Sequence, residues 1–276
     1  HAELLKPLYQ RLLASIVEQR VVQADETPVQ LLSVNRKGYV WTFLAGKKIA
    51  YVFSAGRSGE TPSKVLGDSQ GALVVDAYTG YNAVTVPGKR ERVGCLAHAR
   101  RKFDELAKAS ASPVATQAIA RIARIYQVEA QAREMTTEAR LAHRRQYAQP
   151  LWDELHAWMK LERSRVPDGS GIAGALDYSL KRWGALGHFL SDGAVSVDNN
   201  HIENLMRPWA MGRKAWLFAG SESAGKRAAV VMSLVQSARL HGHDPSVYLR
   251  DVLERLLSHP NHRIDELLPH RWIPSN

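Results

Sequence analysis

The first element is marked by apolar spacing alone. Leu4, Leu5, Leu8, Leu12, Leu13, Ile16 and Val17 recur at helical intervals and predict a helix over 3–17. Val21 to Val29 is β-branched and predicts a strand, with Pro28 marking an interruption or a bulge. Asn35-Arg36-Lys37-Gly38 reads as a turn, Tyr39 to Leu44 as the next strand, and Gly46-Lys47 as a second turn into Ile49 to Phe53. Three short strands joined by tight turns predict an antiparallel meander. Glu60 to Leu66 follows as a short helix. Ala72-Leu73-Val74-Val75 is a near-continuous apolar run, the mark of a strand buried on both faces, and it ends on Asp76. Val93 to Leu96 predicts one more strand, leading into a helix over 98–109.

From Ser112 to Leu190 the pattern is helical throughout. Ser112-Pro113 is a cap followed by a first-turn proline, with Ile119, Ile122 and Tyr126 along one face. Leu151, Leu155, Trp158 and Met159 mark a second helix. Leu176, Leu180, Trp183, Leu186 and Leu190 mark a third, after the loop 167–171. Asp198, Asn199 and Asn200 can then cap a helix whose residues sort into two faces. Ile202, Leu205, Met206 and Trp209 make the apolar face; Asn200, Glu203, Asn204 and Arg207 make the polar one. A solvated face usually carries Lys and Glu. Here asparagines surround a single carboxylate, which marks Glu203 as a positioned acid. Ala228 to Leu240 is an apolar helix, and Asp244-Pro245 caps a last one carrying Leu249, Val252, Leu253 and Leu256.

With 276 residues and 45% hydrophobic content the chain is long enough to bury a real core. What changes the picture is charge: 37 Lys and Arg against 27 Asp and Glu, or +10. A surplus of that size predicts a polyanionic partner. A single cysteine excludes an internal disulfide and suits a reducing compartment. No apolar run reaches the roughly 18 residues of a membrane span, and no secretory leader is visible. The sequence opens at His1 inside a helical pattern, which reads as a fragment of a longer protein.

Two acids, Asp25 and Asp76, sit in or at the ends of predicted strands, and Glu203 sits on a helix. A three-strand meander, a helix, a buried strand and then helices is the order of an RNase H-like sheet, in which the first two acid-bearing strands lie side by side. Carboxylates brought together this way suit two Mg²⁺ ions about 3.5–4 Å apart at a phosphodiester. Mg²⁺ prefers hard oxygen ligands and keeps water and phosphate in its shell. Strand alternation turns Glu26 to the opposite face from Asp25, where alanine is expected to be tolerated. Any of 27 acids could be paired in this way, so spacing alone does not select these three.

Longer strings do. Ala24-Asp25-Glu26-Thr27-Pro28-Val29, Val75-Asp76-Ala77-Tyr78-Thr79-Gly80-Tyr81 and Gly94-Cys95-Leu96-Ala97-His98-Ala99-Arg100-Arg101-Lys102-Phe103 stand in this order. Asp198-Asn199-Asn200-His201-Ile202-Glu203-Asn204, then Gly212-Arg213-Lys214-Ala215-Trp216-Leu217-Phe218-Ala219-Gly220-Ser221 and Asp265-Glu266-Leu267-Leu268-Pro269 complete the set. Together they resemble the DDE transposases of the insertion-sequence-66 type, over nearly the whole chain. The resemblance implies an α/β fold: an RNase H-like mixed sheet, an all-helical insertion between the second and third acids, and C-terminal helices. In this chain that divides into a leading helix at 1–20, core at 21–110, insertion at 111–196, core again at 197–240 and a helical tail at 241–276. It implies a catalytic and metal-holding triad at Asp25, Asp76 and Glu203, with Mg²⁺ as cofactor and Mn²⁺ as substitute. Implied too are cleavage at mobile-element ends and strand transfer of the 3′-OH into target DNA. Expected partners are double-stranded DNA, further copies of the chain and accessory proteins of the element, without a membrane; the expected setting is the bacterial cytoplasm, at the nucleoid. Relatives carry an N-terminal zinc-binding and helical region not contained in these residues.

Candidate DNA contacts are His98, Arg100, Arg101, Lys102, Arg207, Arg213, Lys214, Lys226 and Arg227, the later ones interleaved with Trp216 and Phe218. Cys95 and His98 also form half of a zinc site, which would need histidines from elsewhere, such as His241 and His243; the alternatives are a DNA-phosphate contact or a packed, structural role for His98. Gly220-Ser221-Glu222-Ser223-Ala224-Gly225-Lys226-Arg227 nearly matches a nucleotide phosphate loop, but Arg227 stands where a metal-holding hydroxyl is required. The reading here is a flexible loop between Gly220 and Gly225, with both cations at a helix N-terminus where DNA phosphate binds. The rival functions are a structure-specific nuclease of the same chemistry and an idle DNA-binding module.

Overall fold

The computed structural model describes residues 2–32, 36–215 and 219–275, the side chains of 213–215 excepted. It is an α/β protein with a five-stranded mixed sheet and many helices. Two compact units are present. One comprises His1–Leu73, Tyr78–Glu91 and His201–Asn276, the other Val74–Ala77 and Arg92–Asn200.

In the first unit, helix α1 (Ala2–Val17) buries Leu5, Leu8, Leu12 and Ile16. It leads into β1 (Val21–Leu31), β2 (Arg36–Ala45) and β3 (Lys48–Ser54), an antiparallel meander as expected. Arg36, Lys37 and Gly38 are strand rather than turn, and Asn35 lies outside the described residues. Pro28 makes no bulge: the register runs unbroken from Gln23↔Leu44 to Leu31↔Arg36. Helix α2 (Glu60–Leu66) precedes β4 (Gly71–Val74), which stops before Asp76. A 3₁₀ turn at Thr79–Val84 leads to β5 (Arg90–Val93), earlier in the chain than the apolar pattern indicated. The sheet order is β3-β2-β1-β4-β5. Arg90 is fully buried without breaking the core, because its guanidinium donates to the carbonyls of Val17, Gln19 and Ala72 and to Ser69 Oγ. The Val17 carbonyl ends α1, where a cation is favoured.

The second unit begins its helices with α3 (Leu96–Ser110) and α4 (Pro113–Gln131), the latter capped by Ser112 Oγ accepting from Ala115 N. Next come α5 (Thr137–His143), a π turn at Arg144–Ala148 and α6 (Gln149–Arg165). The helical stretch expected from Leu176 to Leu190 is broken into α7 (Gly171–Leu180), α8 (Trp183–Gly187) and a 3₁₀ turn. At the end of α8, Gly187 packs against the Trp152 indole, which a Cβ there would approach to 2.9 Å. Arg144 is buried against Glu129 at 2.6 Å and also donates to the carbonyls of Phe189, Asp192 and Val195.

Three helices close the first unit: α9 (Asn200–Ala215), α10 (Glu222–Leu240) and α11 (Pro245–Leu256), the last capped by Asp244. One sheet face and α9 share a core: Val29, Leu31, Val40 and Leu44 pack with Ile202 and Trp209. The outer edge of β3 is sealed differently. Ser237 Oγ accepts from Ile49 N at 3.0 Å and donates to Ile49 O at 2.8 Å. Ser233 Oγ accepts from Tyr51 N at 2.8 Å, and Tyr9 of α1 donates to Tyr51 O at 2.9 Å. Gly225, Ala229, Ser233 and Ser237 stand four residues apart, so one small-residue stripe of α10 faces the strand. At its far end a Cβ on Gly225 would lie 2.6 Å from the Phe53 ring. Beyond Tyr51 a cavity of about 400 Å³ opens between α1, β3 and α10, lined in part by Phe53, Lys6 and Arg227.

Ser237→Ala should therefore cost about 1–3 kcal/mol, because it strands both polar groups of Ile49 without water. Urea unfolding is expected to show a lower midpoint with an unchanged slope. A loss of only a few tenths would mean that the hydroxyl does not seal the edge.

Candidate functional site

Alternation along β1 decides which residues share a surface. Asp25 lies on the face of Val29 and Leu31, the face that packs with Ile202 and Trp209 of α9. Glu203, next after Ile202, is half-buried and has one carboxylate oxygen sealed from solvent. Asp25 and Glu203 thus belong to the same side of the sheet within the first unit. Asp76 is half-buried two residues past the end of β4, in the second unit, and β4 is the neighbour of β1 in the sheet. Burial pushes the Tyr178 hydroxyl up, Arg182 opposes the shift, and the Asp76 charge adds to it. Among the described residues no three His, Cys, Asp or Glu side chains stand close enough together to hold a metal ion.

Three features around these acids were not anticipated. Asp25 Oδ1 accepts from the main-chain N–H of Glu26 at 2.8 Å. Thr42, the cross-strand partner of Asp25, is fully buried, and its hydroxyl has no hydrogen-bond partner among the described residues. A lone aliphatic hydroxyl inside Val40-Trp41-Thr42-Phe43-Leu44 was the available signal for it. Glu26 does point away from Asp25, but it is no spectator. Its side chain is 1% exposed, ion-paired to Arg57 at 2.5 Å and hydrogen-bonded by Tyr81 OH at 2.8 Å. The expectation that Glu26 tolerates alanine is corrected: truncation would leave these donors facing an apolar hole.

The start of α9 is built as its asparagines suggested. Asp198 Oδ1 accepts from Asn200 N at 3.0 Å. Its Oδ2 accepts from Asn200 Nδ2 and from Tyr126 OH, both at 2.7 Å. Burial, reinforced by the Asp198 charge, pushes the Tyr126 hydroxyl far up, so it stays a donor. Cys95 Sγ accepts from Asn199 N at 3.2 Å, and burial pushes the thiol up to about 12.

The predicted DNA contacts divide. Arg100, Arg101 and Lys102 are exposed on α3, with His98 half-buried in its first turn. Arg100 and Arg101 line a concavity of about 380 Å³ with Ala97, Asp104, Tyr126 and Asn200. Lys102 Nζ stands 5.6 Å from the Tyr178 ring centre. Arg207 is exposed on the polar face of α9, one turn past Glu203. Arg213 and Lys214 lie in α9 by backbone, but their side chains, like Trp216 and Phe218, lie outside the described residues. Lys226 and Arg227 are not at a loop end. Ser221 Oγ accepts from Ala224 N, and α10 begins at Glu222, which pairs with Lys226 at 2.6 Å. Gly225 lies within α10, where the Phe53 ring leaves no room for a Cβ. The phosphate-loop likeness is therefore a packing signature, and the helix N-terminal anion site falls with it.

Comparison with known proteins gives the same direction throughout. Residues 1–227 match the model described as Transposase IS66 family, and residues 233–270 the IS66 C-terminal element. The uncharacterized proteins y4hP and y4jD of Sinorhizobium fredii (strain NBRC 101917 / NGR234) are 34% and 35% identical to this chain. Each alignment takes in 97% of the chain, against 53% of y4hP and 57% of y4jD. The chain thus spans little more than half the length of these relatives.

Two outcomes follow at this level. Iodoacetamide at pH 8 should leave Cys95 unmodified until the protein is unfolded; labelling of the native protein at the rate of a free thiol would contradict the buried site. Separately, alanine at Arg227 should weaken non-specific DNA binding more than alanine at Lys226, because only Lys226 is partly neutralised by Glu222. Together they should lower the salt slope by up to about 2. Equal or absent effects in a salt titration would remove this surface from the interface.

Proposed function

The chain belongs to the IS66 family of transposases, and from that premise we propose that it is the catalytic part of a DDE transposase built on an RNase H-like core. The helical stretch from α4 to α8 is then the insertion between the second and third acids. The observation that carries this reading is the sheet order: β1, bearing Asp25, neighbours β4, after which Asp76 stands, while α9 brings Glu203 to the Asp25 face. Asp25, Asp76 and Glu203 would hold Mg²⁺, for which their hard carboxylate oxygens are suited. The oxygen-only chemistry of this donor set suits such an ion, but among the described residues the three acids are not gathered closely enough around one point to hold it. When bound, the metal would lower the pKa of an attacking oxygen and neutralise charge at the scissile phosphate.

The protein's own groups have separable tasks. Asp25 is aimed by the Glu26 N–H, which donates to its Oδ1. Asp198 and Tyr126 fix the first turn of the helix that bears Glu203, so the third acid sits on a rigid element. Arg100, Arg101, Lys102, His98 and Arg207, with Arg213, Lys214, Lys226 and Arg227, are assigned to phosphates of element-end and target DNA, a role suited to cations without base-specific geometry. The substrate is double-stranded DNA, and the products are cut ends and joined strands.

Alanine at Asp25, Asp76 or Glu203 should each abolish cleavage and joining by the intact protein, with the fold and most of the DNA affinity retained. Cleavage and strand-transfer assays with Mg²⁺ or Mn²⁺ measure this, alongside a melting curve for each variant. Wild-type cutting by Glu203→Ala would make α9 structural. Cutting without any joining would favour a plain nuclease.

A further inference from the structure

Strand β3 ends the sheet, and its outward main-chain groups are met in turn until the last. Ala45↔Lys48 closes the hairpin, so alternation turns the N–H and C=O of Ile49, Tyr51 and Phe53 away from β2. Those of Ile49 are taken by Ser237, and those of Tyr51 by Ser233 and Tyr9. At Phe53 the series stops. Its N–H and C=O make no hydrogen bond among the described residues. The positions of α10 that continue the serine stripe are Ala229 and Gly225, whose side chains have no polar group to offer. Edge groups left in this state are a template for another chain.

The cavity of about 400 Å³ between α1, β3 and α10 lies at this same end of the strand. Val52, Phe53 and Val230 give it an apolar lining. Among the described residues that line it, the exposed cations Lys6, Lys226 and Arg227 stand against one acid, Glu3. We propose that this is a docking groove for an extended acidic segment of another protein, added beside β3 as a short strand. A peptide backbone brings both an acceptor for the Phe53 N–H and a donor for the Phe53 C=O. A DNA phosphate brings only acceptors and leaves the carbonyl unmet. In strand addition the main-chain bonds give affinity and pockets for alternate side chains give specificity. Here an apolar side chain enters the cavity, and the carboxylates on either side of it meet the cations. With +10 on the chain itself, a second copy is the poorer occupant. The inference does not draw on the proposed triad. Its consequence for DNA is that phosphate and the docked segment compete for Lys226 and Arg227.

The probe is a short fluorescein-labelled peptide of alternating aspartate and leucine, and its control carries lysine in place of every aspartate. Fluorescence anisotropy reads binding to the intact protein, and amide hydrogen exchange reads its place. The acidic peptide is expected to bind saturably and the lysine control not at all. With peptide bound, the Phe53 amide should exchange about tenfold more slowly, while the Tyr51 amide, already held by Ser233, keeps its rate. Lys6→Glu combined with Arg227→Glu should weaken binding by about tenfold or more and remove the slowing. Both side chains are exposed, so this variant should melt as wild type does. Binding that leaves Phe53 exchange unchanged lies elsewhere and overturns the groove, as does the lack of saturable binding up to about 1 mM. Equal slowing by random-sequence duplex DNA would make the occupant a phosphate. Slowing that follows protein concentration alone would make it a second copy. Either result overturns the proposal.

Discussion

The first unit depends on how the sheet ends at β3. An edge strand presents main-chain donors and acceptors that must be met or kept wet. Here they are met by side chains: two serines of α10 and a tyrosine of α1 take the place of a sixth strand. That contact fixes α10 against the meander, and Ala229 of α10 joins the core in which Val29 and Leu31 meet Ile202 and Trp209. Had a larger residue stood at 225, 229, 233 or 237, the helix would stand off and the edge would be open. The orientation of α9, and so of Glu203, rests on the same packed face.

Strand β1 shows how a two-residue period serves two purposes. One face carries Asp25 opposite Thr42, with the α9 core beyond; the other carries Glu26 opposite Trp41, among aromatic rings and Arg57. Neither carboxylate would be tolerated if the register slipped by one residue, since each would exchange surroundings with the other. The strict nine-pair register with β2, unbroken even at Pro28, is what keeps them apart.

Much of this was legible in the residues. The meander, α2 to the residue, the Ser112 and Asp244 caps and the two faces of α9 follow from local spacing and capping chemistry, which act over a few residues. What escaped was tertiary. Glu26 looked like a surface acid because nothing nearby in sequence announces Arg57 or Tyr81, 31 and 55 residues away. Arg90 and Arg144 are buried cations whose partners are mostly carbonyls, and carbonyls leave no trace in a sequence. Gly225 read as loop punctuation, when its cause is an aromatic ring on another element. Gly187 belongs to the same class, with Trp152 as the distant neighbour that leaves no room for a Cβ.

The seal on β3 also has a built-in limit of length. A helix advances about 6 Å in four residues, whereas a strand advances about 6.8 Å in two. Side chains repeating every fourth position can therefore keep step with alternate strand residues only briefly, like two rulers of slightly different pitch. Ser237 with Ile49 and Ser233 with Tyr51 use up the agreement. At the next step a hydroxyl would arrive short, and α10 offers Ala229 and then Gly225 instead, against the ring of Phe53. The cavity between α1, β3 and α10 begins at that point. It lies where the two repeats part, and side chains of α1, β3 and α10 line it.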